Sequence, residues 1–231
     1  MTIIPKIITP PTVEPVSLDE VLVQSRISDP LEVLPGTSLT IGDYVTRLIK
    51  CVRQHLERRT GRAFVEQTLE VALDYWPFSI TSWQQANPGY VGFSQYGVIE
   101  LPRATPLQSI VSIKYKCSDA VEYVLDPSAY VLDTDALPGR IAPAYNTFWP
   151  SFVPYPLSPI HIRYVAGDSG PGASPAVPFA DEDVKQALLL LVGHFYNNRE
   201  AVIVGENTTI ESKQMELAMA SLLSPLEMQA F

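Results

Sequence analysis

Apolar positions change their period twice along this chain. Ile41, Tyr44, Val45, Leu48, Ile49, Val52 and Leu56 recur at three- and four-residue spacing. At about 100° per residue they share one broad arc, with Arg47, Lys50, Arg53, Glu57 and Arg58 opposite, which predicts an amphipathic helix with a solvated basic face. Gly61 stands where a left-handed C-cap is expected, and the arginines of the last turn complement the negative end of the helix dipole. Upstream, Ser17 and Glu20 have the spacing of a capping box, which predicts a shorter helix over 18–27. From Thr68 the period shortens. TLEVALDY, GVIELP, SIVSIKYK, EYVLD, AYVLDT, GRIAP and IHIRYVAG are β-branched or aromatic runs bounded by Pro, Gly, Asp or Ser, and they predict about seven strands. No segment between 66 and 167 has a helical pattern to serve as a crossover, so the pairing is expected to be mainly antiparallel. Beyond a glycine- and proline-rich hinge at 167–178, the acids Asp181, Glu182 and Asp183 suit the start of a third helix reaching about Glu200. Leu188, Leu189, Leu190 and Leu191 cover most of its circumference, the pattern of a helix buried on more than one side. A fourth helix is predicted over about 211–223, capped by Thr209 and closed by Pro225.

These elements define an α+β chain. Residues 1–16 hold Pro5, Pro10, Pro11 and Pro15 and form an extended arm, because proline fixes φ and removes an amide donor. Helices from 17–65 and 179–224 build a small helical bundle, 66–178 is a mainly antiparallel β-rich insertion, and 225–231 is a C-terminal tail. Two long connections interrupt the insertion. The loop 79–97 carries Trp83, Tyr90, Phe93 and Tyr96, and the loop 144–158 carries Tyr145, Phe148, Trp149, Phe152 and Tyr155. Protein contact surfaces favour such aromatics, as do platforms that stack sugars or bases.

Composition narrows the class of function. A chain of 231 residues buries enough apolar surface to need no disulfide scaffold. Cys51 and Cys117 fall in a predicted helix and a predicted strand, as expected of reduced thiols. The start MTIIPKIITPP lacks the apolar core of a signal peptide, and the run from 187 to 192 is too short to span a bilayer. A soluble product made in the cytoplasm is the expectation. Sixteen basic residues against twenty-five acidic ones give a formal charge of −9, which argues against nucleic acid as the main ligand. The positive charge is concentrated, however: six basic residues and one acid lie between positions 47 and 62. Arg47, Lys50, Arg53 and Arg58 therefore form a candidate contact belt whose alternative is an ordinary solvated helix face.

Candidate chemistry is sparse. Gly167, Asp168, Ser169 and Gly170 match part of a serine-protease nucleophile segment, yet His161, eight residues earlier, is not placed as that triad needs, so a strand-ending turn is the expectation. His55, His161 and His194 accompany no HExxH or CxxC spacing, so no metal site is expected. Asp133 and Asp135 sit by a turn, where aspartate is favoured for local backbone hydrogen bonds, and do not indicate a glycosidase. No catalytic or cofactor-binding residue is assigned, and an enzyme is not expected.

Five phrases, in this order, are similar to the phage head-tail connector family, the gp6-like adaptors: PPTVEPVSLDEV, LERRTGRAF, LPRATPLQSIVSIKY, IRYVAGD and VKQALLLLVGHFYNNRE. They spread over residues 10–200, and the long loops at 79–97 and 144–158 are departures from the family. The resemblance implies a non-enzymatic virion neck protein, assembled in the host bacterial cytoplasm without a cofactor. It implies a ring of about a dozen copies with head-to-tail cyclic symmetry. Such a ring docks under the portal protein, extends the DNA channel and receives tail or completion proteins. On that reading Leu189, Leu190 and Tyr196 suit the subunit interface. Leu226, Met228 and Phe231 suit portal docking, because a mobile apolar tail can order into a groove. Trp83, Tyr90, Phe93 and Trp149 suit tail or neck contacts. An acidic lumen would let DNA pass without holding it. A β-sandwich module binding glycan or a receptor through the aromatic loops is the alternative.

Overall fold

The structure, a computed structural model, describes residues 4–36, 38–77, 97–168, 182–198, 221, 222 and 224. They divide into a β unit, with described residues 4–12, 62–77 and 97–168, and a helical unit containing the others.

The helical unit holds α1 (Leu18–Gln24), α2 (Ile41–Thr60) and α3 (Glu182–Asn197). Both N-termini with a described cap close with reciprocal hydrogen bonds. At α1 the Glu20 amide donates to Ser17 Oγ, and the Ser17 amide donates to Glu20 Oε2 at 2.6 Å. At α2, Thr40 and Asp43 repeat the arrangement with aspartate in place of glutamate, a box that the sequence pattern of Ser/Thr followed by Glu/Gln does not flag. Gly61 ends α2 at φ 69°, as its position predicts. Helix α1 stops at Gln24, earlier than expected, because Arg26 turns to φ 54°.

Val45, Ile49, Val52 and Leu56 of α2 are buried, as are Val184, Ala187, Leu188, Leu191 and Val192 of α3, which packs on α1 and α2. One expectation is overturned here. Arg53 and Glu57 are not on a solvated face but are buried beside Val52 and Leu56. Their charges stay inside because they neutralise each other: Arg53 Nη1 donates to Glu57 Oε2 at 2.9 Å, while its Nε donates to Glu14 Oε2 at 2.7 Å. Along α3 the buried positions occupy one arc, and Leu189 and Leu190 on the flanks are half-buried.

The β unit contains β1 (Lys6–Thr9), β2 (Gln67–Leu73), β3 (Ile99–Glu100), β4 (Leu107–Lys116), β5 (Glu122–Val124), β6 (Tyr130–Asp133), β7 (Arg140–Pro143) and β8 (Ile160–Ala166). Seven of these answer to the predicted runs. The eighth, β1, lies in the proline-rich arm. One sheet has the order β1-β2-β8-β4-β5 and the other β3-β7-β6, with every named pair antiparallel. Burial alternates strictly along β8, so Ile160, Ile162, Tyr164 and Ala166 face inward while His161, Arg163 and Val165 face outward. The inward residues share one apolar core with Leu69, Val71, Leu107 and Ile113 of the larger sheet and with Ile99, Tyr130 and Ile141 of the smaller one. Tyr164, fully buried, donates its hydroxyl to the Pro102 carbonyl, which satisfies the one polar atom it brings inside. Gly167 ends β8 at φ 99°, where a Cβ would stand 2.2 Å from the Val65 carbonyl oxygen. The glycine of the protease-like string is therefore the strand-ending turn expected of it. Ser169 lies outside the described residues.

Candidate interaction surfaces

The connection 144–158, between β7 and β8, is long but fastened throughout. The Ala144 amide donates to the Ala129 carbonyl at 3.0 Å, and Thr147 Oγ1 donates to the Ala144 carbonyl at 2.7 Å. Trp149 stacks on buried Trp76 with ring centroids 4.7 Å apart and planes 2° from parallel, and its indole N–H donates to the Gly97 carbonyl at 2.6 Å. Phe152 packs against Tyr115 at 5.0 Å. The second half of the loop runs beside the end of β4: the Ser118 amide donates to the Val153 carbonyl, the Tyr155 amide donates to the Lys116 carbonyl, and Lys116 Nζ lies 4.2 Å from the Tyr155 ring centroid. The Ser158 amide closes the loop on Asp74 Oδ1 at 3.1 Å.

Against these anchors a different set of apolar side chains points into solvent. Tyr145 is 99% exposed and Phe148 88%, with Val153 and Leu157 also largely exposed. Such a surface can bury aromatic area against a partner at little ordering cost, because the backbone beneath it is already fixed. The sequence-based choice of Trp149 for a neck contact meets a different environment: its ring is half-buried in the unit's own core edge. Its neighbours Tyr145 and Phe148 carry the exposure. Aromatic content marks the loop, but which ring is anchor and which is tip depends on Trp76 and Gly97, far away in sequence. Trp83, Tyr90 and Phe93 lie outside the described residues, as do Leu226, Met228 and Phe231.

On the helical unit, Arg47, Lys50 and Arg58 are exposed along α2, while Arg53, 3% exposed and paired with Glu14 and Glu57, leaves the proposed belt. Leu189, Leu190 and Tyr196 are half-buried, and the Tyr196 ring lies 6.3 Å from that of Tyr44 in a tilted pair.

The polar groups of the outer sheet face are engaged with each other. Arg163 donates to Glu70 Oε2 from Nε at 3.0 Å and from Nη2 at 2.7 Å, and His161 Nδ1 lies 3.4 Å from Glu70 Oε1. Burial raises the Glu70 carboxyl, but Arg163 and His161 together outweigh it and hold the group below its ordinary value. Among the described residues no three His, Cys, Asp or Glu side chains gather as metal ligands, and no helix is long and apolar enough to cross a membrane. Cys51 and Cys117 are both free.

No protein-family model and no curated protein matches the chain. Solved structures do. A chain in the neck of the empty gene transfer agent (GTA) particle, computed with C6 symmetry, is similar with a TM-score of 0.67 at 16% identity, over 99% of this chain and 97% of that one. A chain in the virion of the native gene transfer agent particle gives 0.65 at 15%, again over 99% and 97%. One in the native GTA neck, computed with C12 symmetry, gives 0.62 at 17%, over 100% and 97%. From end to end, the chain has the fold of chains found in those particles and their necks.

Proposed function

We propose that this chain is a structural component of a phage-like virion neck. On this reading it is a head-tail adaptor that assembles as a ring beneath the portal, lengthens the DNA exit channel and offers a docking platform to tail or completion proteins. The observation that carries the reading is the extent of the structural likeness, which spans 99% or more of this chain and 97% of each neck chain, rather than one shared subdomain. The C6 and C12 symmetries of those necks accord with a cyclic assembly. The fastened loop with Tyr145 and Phe148 outermost is the proposed docking platform. Leu189, Leu190 and Tyr196 are the proposed ring contact. Leu226, Met228 and Phe231 are the proposed portal contact. The acidic surplus of the chain would line the channel and repel phosphates, while Arg47, Lys50 and Arg58 face elsewhere or form a narrow contact belt. Gold-labelled antibody against the chain should mark the head-tail junction of purified particles. Label confined to tail tips or fibres would instead favour a receptor- or glycan-binding module.

A further inference from the structure

Residues 4–13 are ordered with little burial of their own. None of the ten is buried, although four of them, Lys6–Thr9, make the strand β1 on the edge of β2. Ile4 is 77% exposed and Ile7 36%. The segment is thus held by its ladder to β2 and not by packing. That ladder is short and irregular: Lys6 stands opposite Glu70, Ile7 opposite Leu69 and Thr9 opposite Thr68, with a register slip between Ile7 and Thr9. Burial resumes abruptly at Pro15 and Val16, where Glu14 is clamped by the buried Arg53. The β2 edge, in contrast, is part of the core. Leu69, Val71 and Leu73 are buried beneath it, and an open edge above such a core exposes unpaired amides and carbonyls to any extended chain.

We infer that β1 is an exchangeable arm: in the assembled protein, residues 6–9 of one copy pair with the β2 edge of a neighbouring copy. The inference rests on the ring reading, and it supplies a specific link between subunits. The occupant is identified by the edge itself, since the sequence that fits it in register, with Lys6 across from Glu70, is the arm of this same chain. Exchange replaces each hydrogen bond with an identical one and moves no core side chain, so the two arrangements differ mainly in chain entropy and in local concentration. The stretch between Thr9 and Glu14 contains Pro10 and Pro11. It is biased to extended conformations, and the five Cα-to-Cα steps from Thr9 to Glu14 reach about 16 Å. In a closed ring every donated arm finds a β2 edge vacated by the next exchange, so each β2 stays paired on both sides.

The test uses full-length chains in which Cys51 and Cys117 are serine. One carries Thr9→Cys, a second carries Thr68→Cys, and a third carries both. Mixed before assembly and then oxidised, the two single variants should form a covalent heterodimer, and the double variant should give covalent multimers in assembled rings. A double variant that closes only on itself within rings, with no heterodimer from the mixture, overturns the inference. Deleting residues 1–9 should leave the far-ultraviolet spectrum and thermal transition close to those of the intact chain while abolishing ring closure. Rings that close without the arm also overturn the inference and leave the neck reading standing. If the intact chain forms no rings under the electron microscope, with or without portal, the reading beneath it fails as well.

Discussion

Arg53 shows how far a single side chain can depart from the pattern that surrounds it. The wheel of α2 places it with Arg47, Lys50 and Arg58, yet it is buried because Glu14 and Glu57 meet it there. Glu57 is one turn along and visible in sequence. Glu14 is thirty-nine residues away and is not. Removing the cation breaks the ion pairs to both Glu14 and buried Glu57, so Arg53→Ala should cost about 3 kcal/mol in urea unfolding. A loss below about 1 kcal/mol would show that the site is wetter than its burial implies. Glu70 gives a pH signature. Its carboxyl lies below its ordinary value of 4.5 when folded, so its contribution is complete above the unfolded value and is lost as pH falls through the folded one. Between pH 7 and pH 3, wild type should therefore lose stability more steeply than Glu70→Gln. Equal slopes in urea midpoint against pH would contradict that assignment.

At the scale of elements, short-range pattern proved informative where one periodicity dominates. The box at Ser17, the glycine stop at Gly61 and the seven runs that became β2–β8 were all legible, since each depends on neighbours a few residues away. The strand β1 was not, because four residues among prolines, three of them exposed and none buried, carry no amphipathic alternation and pair only with the β2 edge. Loop 144–158 was legible as aromatic and long but not as fastened. Its division into anchor and tip is open to mutation. Tyr145→Ser with Phe148→Ser should change unfolding stability by less than about 0.5 kcal/mol, as exposed positions do, while weakening attachment of tail or completion protein in a reconstitution assay. Trp149→Ala should instead cost about 3 kcal/mol by removing the stack on Trp76. Unimpaired attachment by the Tyr145/Phe148 variant would remove the loop from the proposed platform.

At the scale of the whole molecule, the α+β class followed from the change of period along the chain, and the described helices and antiparallel sheets agree with it. The packing of two sheets around one core was not legible, because alternation says which face of a strand is buried but not which sheet covers it. A fold shared at 15–17% identity shows the same thing from the other side. Patterns of burial persist where side-chain identities do not, which is why phrases such as LERRTGRAF and IRYVAGD, containing helix stops and strand ends, carried the resemblance. In the proposed function this fold serves as one member of a closed ring on a portal. Cryo-electron microscopy of the purified chain mixed with the portal protein of its own particle tests it most directly. A cyclic ring of about a dozen copies seated on the portal, with an open axial channel, is the expected result; portal free of bound chain, or single copies bound without contact between them, would rule the proposed function out.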